Sequence, residues 1–257
     1  MRALLLACLM FVSAPALASA QPPIIAAASD LQFALTEAAE RFKAQTGADV
    51  RLNFGSSGNF RRQIAQGAPF ELYLSADEAY VFALHQEGHT LDEGTIYAAG
   101  RLVWLQRSQR GDLPDDTAPL AGVEQAIAAQ ASGTRARIAL ANPEHAPYGV
   151  AAQQALSHAS LWEPVAPLRV LGENVSQAAQ FALADDARGG LVAYSLALAP
   201  ALAERSEYVL IPEEWHAPLR QRMVLTRQAG DVAKAFYAWL QEDEALAILK
   251  QYGFSTE

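Results

Sequence analysis

The chain has 257 residues, of which 51% are hydrophobic and 18% charged, with a single cysteine and a formal net charge of -9. This is the composition of a globular protein with a sizeable core, and it excludes disordered, collagen-like and coiled-coil chains. The length suits one or two domains. The excess of acidic over basic residues argues against a nucleic-acid partner, so we expect none.

Residues 1–20 have the order of a secretory signal peptide, with a positive charge at Arg2, an apolar run over 3–12 and small residues up to Ala20. We therefore expect cleavage after Ala20 and a periplasmic location. Cys8 would be removed with the signal peptide, so the exported chain could form no disulfide. The exported chain would carry 18 basic and 28 acidic residues, a net charge of -10.

Short apolar runs alternate with segments of helical periodicity along the rest of the chain. The first pair is a strand at 24–28 and a helix at 30–46, whose apolar residues recur at helical spacing. The same patterns predict further strands at 50–54, 70–75, 102–106, 137–141, 168–171 and 191–194. They predict further helices at 60–66, 76–86, 150–159, 176–184 and 196–203. Such alternation is typical of an α/β fold with largely parallel sheets.

Two segments rich in proline and acidic residues interrupt this alternation, at 108–119 and 211–218. Segments of this kind mark loops or domain boundaries. They suggest that the chain crosses into a second domain and later returns to the first.

Three predicted strand-to-helix junctions carry small hydroxyl or amide residues, at 28–30, 55–58 and 173–176. Free N–H groups and the positive end of the helix dipole make such junctions suitable for anions. In open α/β sheets they also face the ligand crevice. Serine, aspartate and asparagine are equally the usual N-caps of any helix, so capping remains the alternative interpretation.

Six short blocks of this sequence resemble, in the same order, the periplasmic molybdate-binding proteins of ABC importers. The blocks are Ala26-Ala27-Ala28-Ser29, Phe54-Gly55-Ser56-Ser57, Gln63-Ile64-Ala65-Gln66-Gly67-Ala68-Pro69, Leu74-Ser75-Ala76-Asp77, Pro143-Glu144-His145-Ala146-Pro147-Tyr148-Gly149 and Tyr252-Gly253-Phe254. The third and fifth blocks together are the more specific part of the pattern.

The resemblance implies a two-lobed type II periplasmic binding fold of the α/β class, with two mixed sheets flanked by helices and a ligand cleft between the lobes. It implies a first lobe of residues 21–103 and 219–257 and a second lobe of residues 104–218. The implied function is the capture of molybdate or tungstate for a membrane permease, by a monomer without cofactor or enzymatic activity.

The same resemblance implies five ligand residues. Ser29 and Ser57 would donate from hydroxyl and N–H groups of the first lobe. The second lobe would supply the main-chain N–H groups of Tyr148 and Val175 and the hydroxyl of Tyr194. Molybdenum would be held only as molybdate through these donors, with no direct ligand to a metal ion.

Two residues depart from the family pattern. Asp30 stands where many members have leucine, and a carboxylate beside an anion is unfavourable unless it points to solvent or caps N–H groups. Tyr148 replaces a small residue found in some members, which would change the shape of the pocket.

Other functions remain open at this stage. A binding protein for sulfate, thiosulfate, a metal ion or a small organic anion would share the fold. A secreted serine hydrolase is a further alternative, with Ser57 and His145 as its reactive pair, although residues 55–59 do not match the G-x-S-x-G nucleophile motif.

Overall fold

The computed structural model describes residues 21–109, 111–134 and 136–256, which form two five-stranded sheets flanked by helices. The predicted signal peptide and its cleavage site lie outside the described residues. The strands are β1 (Ile24–Ala28), β2 (Arg51–Gly55), β3 (Leu72–Ser75), β4 (Thr95–Gly100), β5 (Leu102–Arg107), β6 (Arg137–Ala141), β7 (Arg169–Gly172), β8 (Ala187–Ala193), β9 (Ser206–Leu210) and β10 (Leu219–Leu225).

The α-helices follow the strands in regular alternation through most of the chain. They are α1 (Gln32–Thr46), α2 (Ser57–Ala65), α3 (Glu78–Gln86), α4 (Ala121–Ala131), α5 (Pro147–His158), α6 (Val175–Ala182), α7 (Tyr194–Ala197), α8 (Pro200–Ala203), α9 (Asp231–Trp239) and α10 (Asp243–Gln251). Short 3-10 helices lie at Ser29–Leu31, Ala166–Leu168 and Glu213–Trp215. No helix of the described residues is long and apolar enough to cross a bilayer.

Both sheets are mixed. In the first, the order is β2-β1-β3-β10-β4, with β1 parallel to β2 and β3 and with β10 antiparallel to β3 and β4. In the second, the order is β7-β6-β8-β5-β9, with β6 parallel to β7 and β8 and with β5 antiparallel to β8 and β9. The predicted α/β class with two mixed sheets is confirmed.

The chain passes between the two sheets twice. The first crossing is at Arg101, between β4 and β5, and the second covers residues 211–218, between β9 and β10. We use lobe I for the part built on the first sheet and lobe II for the part built on the second. The predicted residue boundaries of the lobes stay a prediction; the one after residue 103 falls within β5, and the one after residue 218 falls at the start of β10.

Each lobe has its own apolar core. In lobe I the rings of Phe42 and Phe236, from α1 and α9, lie with their centroids 5.0 Å apart. In lobe II the fully buried Trp104 of β5 lies in a cluster with residues of α4, α5 and α6. The inner strands β1, β3 and β6 are buried along almost their whole length, which is why their residues are mostly apolar.

The predicted strands up to residue 171 agree with the observed ones to within two residues. The predicted helix at 196–203 is instead two short helices, because Pro200 cannot continue the first of them and begins the second. The prediction contained no element for β10. This strand lies inside the first sheet, but its polar run of Arg220, Gln221 and Arg222 lacks the apolar pattern expected of a central strand. Nor did it contain β4, β9, α4, α9 or α10.

Candidate functional site

Parallel pairing aligns the ends of four strands. In lobe I, Ala28 at the end of β1 lies opposite Gly55 at the end of β2. In lobe II, Ala141 at the end of β6 lies opposite Gly172 at the end of β7. The helical segments that follow these strands therefore begin at one edge of each sheet, where ligand sites of open α/β sheets are found.

The two edges face each other and are in contact. The N–H of Gly58, at the start of α2, donates to the carbonyl of His145 at 2.9 Å. The N–H of Ser176, at the start of α6, donates to the hydroxyl oxygen of Ser29 at 3.2 Å. Both bonds join lobe I to lobe II, so the cleft between the lobes is closed.

Two buried serine hydroxyls at this interface already accept a hydrogen bond. Ser57 Oγ accepts from the N–H of Ala76 at 3.0 Å, as Ser29 Oγ accepts from Ser176. A serine hydroxyl has one proton and can accept as well as donate. An accepted N–H bond directs the hydroxyl proton elsewhere, so both serines can donate to an oxyanion.

Neighbouring residues cap the helices. Ser56 Oγ accepts from the N–H of Asn59 at 3.4 Å, and Asn174 Oδ1 accepts from the N–H of Gln177 at 3.0 Å. The capping interpretation is therefore right for these two side chains. It does not account for Ser57, the residue after the cap.

Three main-chain donors at the helix starts are unused. Among the hydrogen bonds found in the described residues, none involves the N–H groups of Ser57, Tyr148 or Val175. In α5 the first residue is Pro147, which has no N–H, so Tyr148 carries the first donor of that helix. Free N–H groups at the positive end of a helix dipole attract anions.

Comparison with known protein families identifies the family of this chain. The sequence profile described as "Bacterial extracellular solute-binding protein" matches residues 24–255. The chain belongs to this family. A relative from Rhodobacter capsulatus, named molybdate-binding protein ModA, is 34% identical over 98% of this chain and 94% of its own length. The Escherichia coli protein of the same name is 30% identical over 95% of this chain and 93% of its own length.

Solved structures agree with this family. The periplasmic molybdate-binding protein of Azotobacter vinelandii superposes on this solute-binding protein with a TM-score of 0.81 and 30% identity, over 91% of this chain and 99% of that one. The sulfate-binding protein SubI of Mycobacterium tuberculosis superposes with a TM-score of 0.71 at 13% identity, over 91% and 86% of the two chains. The latter likeness shows the fold alone.

Tyr194 lies in a different environment from the other four predicted ligand residues. The Tyr194 hydroxyl lies 3.4 Å from the hydroxyl of Tyr208, and the two ring centroids are 5.1 Å apart. Tyr194 lines a cavity of about 620 Å³ near the chain crossings, together with Arg101 and His216. Ser29, by contrast, lines a cavity of about 310 Å³ together with residues of α6. The ligand role of Tyr194 stays a prediction.

His145 contacts a different serine from the one considered for a hydrolase. His145 Nδ1 lies 2.9 Å from Ser56 Oγ, whereas the partner found for Ser57 Oγ is the N–H of Ala76. His145 Nε2 lies 3.7 Å from Glu173 Oε2. The imidazole thus connects the cap of α2 with the loop that precedes α6, and the structure does not form a Ser57–His145 pair.

The carboxylate of Asp30 is directed into lobe I and is 1% exposed. Its Oδ2 accepts from Gln221 Nε2 of β10 at 2.5 Å. Burial raises the pKa of Asp30 to about 6, although the hydrogen bond from Gln221 opposes this rise. The bond to Oδ2 comes from a side-chain amide, and Oδ1 has no hydrogen-bond partner among the described residues. The carboxylate therefore neither points to solvent nor caps the helix start, the two conditions stated in the sequence analysis.

Three residues that orient the site carry no role in the sequence analysis. Ala76 lies in a block that resembles the family, but only the fold shows that its N–H reaches Ser57. Ser176 lies in a predicted junction and reaches Ser29 across the cleft. No motif or pattern in the sequence pointed to Gln221. In the part of the chain that the structure describes, no group of three or more His, Cys, Asp or Glu residues could hold a metal ion.

Proposed function

We propose that this chain captures molybdate, or the equally sized and charged tungstate, in the cleft between its lobes. The supporting observation is the set of donors at the closed interface: the hydroxyls of Ser29 and Ser57, and the unused N–H groups of Ser57, Tyr148 and Val175. The choice of molybdate among oxyanions rests on the names of the relatives from Rhodobacter capsulatus, Escherichia coli and Azotobacter vinelandii.

These donors are neutral, so they would hold the anion through oriented hydrogen bonds and not through opposite charge. A hydrogen bond to a charged acceptor contributes about 1.5–3 kcal/mol, and several such bonds can support micromolar or tighter binding after the costs of ordering and desolvation. The net charge of -10 in the exported chain repels a dianion only weakly at distances beyond ~8 Å in physiological salt.

A set made only of donors also selects among anions. A fully ionised oxyanion can accept every one of these hydrogen bonds, whereas the proton of hydrogen phosphate would need an acceptor. Phosphate should therefore bind poorly. Sulfate is fully ionised but smaller, so we expect it to fail on size.

The remaining parts of the proposal follow from the family. The chain acts in the periplasm as a monomer, delivers its anion to the membrane permease of an ABC importer, and uses no cofactor. We also infer that it catalyses no reaction. In support of this, His145 Nδ1 bonds Ser56 Oγ, and Ser57 Oγ accepts from the N–H of Ala76. The lobes are those implied by the sequence, 21–103 with 219–257 and 104–218.

Calorimetric titration of the purified chain with molybdate, tungstate, sulfate and phosphate tests the proposal. We expect binding of the first two ions only. Ser29→Ala should weaken molybdate binding, whereas Ser132→Ala, at an exposed serine of lobe II that bonds the carbonyl of Ala129, should not. Binding of sulfate alone, or of none of the four ions, would overturn the choice of ligand.

A further inference from the structure

The side chain of Tyr148 passes from lobe II into lobe I. Tyr148 belongs to α5, which packs in the core of lobe II, and the residue is only 1% exposed. Its hydroxyl accepts from Gln221 Nε2 of β10 at 3.4 Å. The ring therefore reaches across the interface between the lobes, while its own main-chain N–H lies at the start of α5.

Gly100 provides the space for this hydroxyl. A Cβ atom on Gly100 would lie 2.1 Å from the Tyr148 hydroxyl oxygen and 2.8 Å from Gln221 Nε2. Both distances are too short for any side chain, so the slot exists because residue 100 is glycine. Gly100 is also the last residue of β4, directly before the first chain crossing.

The polar end of the slot is held rigidly within lobe I. Gln221 Oε1 accepts from the hydroxyl of Tyr97 at 2.6 Å, and Gln221 Nε2 donates to Asp30 Oδ2 at 2.5 Å. The register of β10 against β4 shifts between Gln221 and Arg222, which sets the direction of the Gln221 side chain. Contacts within lobe I thus orient the Gln221 amide independently of Tyr148.

A second contact joins lobe II to the same residue of lobe I. Ser195 Oγ, at the start of α7, donates to the main-chain carbonyl of Asp30 at 2.8 Å. Opening of the cleft would break this bond and withdraw the Tyr148 hydroxyl from the slot. It would also expose the buried amide and carboxylate of lobe I to water.

We propose that Tyr148 is a latch, whose hydroxyl enters the slot formed by Gly100, Gln221 and Asp30 and holds the lobes closed. This role belongs to the side chain and is separate from the main-chain N–H proposed as an anion donor. It rests on the proposed function only for the identity of the anion. Because the latch stabilises the closed cleft with or without the anion, it slows the release of the anion, and its loss should not slow capture.

Tyr148→Phe tests the latch, since it removes the hydroxyl and keeps both the ring and the main-chain N–H. By stopped flow with molybdate we expect dissociation to become roughly 5- to 10-fold faster, which is the effect of one lost hydrogen bond, with association at least as fast as in wild type. The matched control is Tyr252→Phe, which removes a hydroxyl that donates to Glu37 at 3.1 Å within lobe I. The control should release the anion at the wild-type rate.

Gly100→Ala provides a second, steric test, and it should accelerate dissociation at least as much as Tyr148→Phe. If it does not fold, Tyr148→Phe still decides the matter. Wild-type dissociation rates in Tyr148→Phe would overturn the latch, whatever happens to its melting temperature.

Small-angle X-ray scattering of the ligand-free proteins separates the latch from the choice of ligand. We expect a larger radius of gyration for Tyr148→Phe than for wild type and Tyr252→Phe. If wild type binds no oxyanion and this difference is present, the proposed ligand fails and the latch stands. Equal radii in all three proteins would overturn the latch.

Discussion

The N–H of Gly58 donates to the carbonyl oxygen of His145 across the cleft at 2.9 Å. A Cβ atom on Gly58 would lie 2.7 Å from that oxygen and 3.0 Å from the Cα of His145. Both obstacles belong to the main chain, which cannot swing aside as the end of a side chain can. The close approach of α2 to the turn before α5 therefore depends on glycine at this position.

Gly58→Ala should separate the lobes and weaken anion binding. We expect a cost of about 1–3 kcal/mol in the free energy of closure, as for other overpacked contacts, measured by calorimetry with molybdate. Gly230→Ala is a suitable control, because its Cβ would meet only the flexible carboxylate of Glu71 in lobe I, at 3.2 Å. Equal affinities of Gly58→Ala and wild type would show that this contact does not limit closure.

Ser57→Ala should weaken molybdate binding by about 1–3 kcal/mol. The substitution removes one proposed donor and also leaves the buried N–H of Ala76 without its acceptor. Calorimetry of the variant measures the loss, and its melting temperature without ligand reports any structural part of the effect. An unchanged affinity would remove the Ser57 hydroxyl from the site.

Tyr194→Phe tests whether the hydroxyl of Tyr194 binds the anion. The sequence predicts that the Tyr194 hydroxyl binds the anion, whereas the structure places this hydroxyl beside that of Tyr208. On the predicted ligand role, Tyr194→Phe should lose affinity for molybdate and keep its fold. A loss of about 1 kcal/mol or more, with no such loss in Tyr208→Phe, would support the predicted ligand role.

The buried carboxyl of Asp30 should make the stability of the ligand-free chain depend on pH. Burial raises the pKa of Asp30 to about 6 from its ordinary value of 3.8, so the folded chain binds this proton more tightly than the unfolded chain does. The contribution of the protonated group is complete below about pH 4 and is lost as the pH rises to about 6. The loss is on the order of 3 kcal/mol.

Urea unfolding of wild type and Asp30→Asn between pH 4 and pH 8 measures this contribution. The free energy of unfolding of wild type should fall relative to that of Asp30→Asn up to about pH 6 and then run parallel to it. Asp49→Asn, at an exposed carboxylate that bonds Lys43, should keep the wild-type fall. A constant difference between wild type and Asp30→Asn over the whole range would contradict the prediction.

Local patterns in the sequence were enough to predict most of the first half of the fold. The strand at Ile24–Ala28 and the one at Arg137–Ala141 have the predicted bounds, because each is a short apolar run ended by polar or turn residues. The strand β10 was not predicted, because its polar residues serve contacts with other strands and with the other lobe. Gln221 is the clearest case, since it is buried only in the context of Asp30, Tyr97 and Tyr148.

The sequence by itself determined the alternation of strands and helices, the class of fold and the three junctions where helices begin. Those features depend on local apolar periodicity and on capping residues, which short stretches of chain contain in full. Only the tertiary structure decided that His145 contacts Ser56, that Tyr194 faces Tyr208 and that the Tyr148 hydroxyl enters lobe I beside Gly100. These relationships join residues far apart in the chain, and the packing of two lobes against each other sets them.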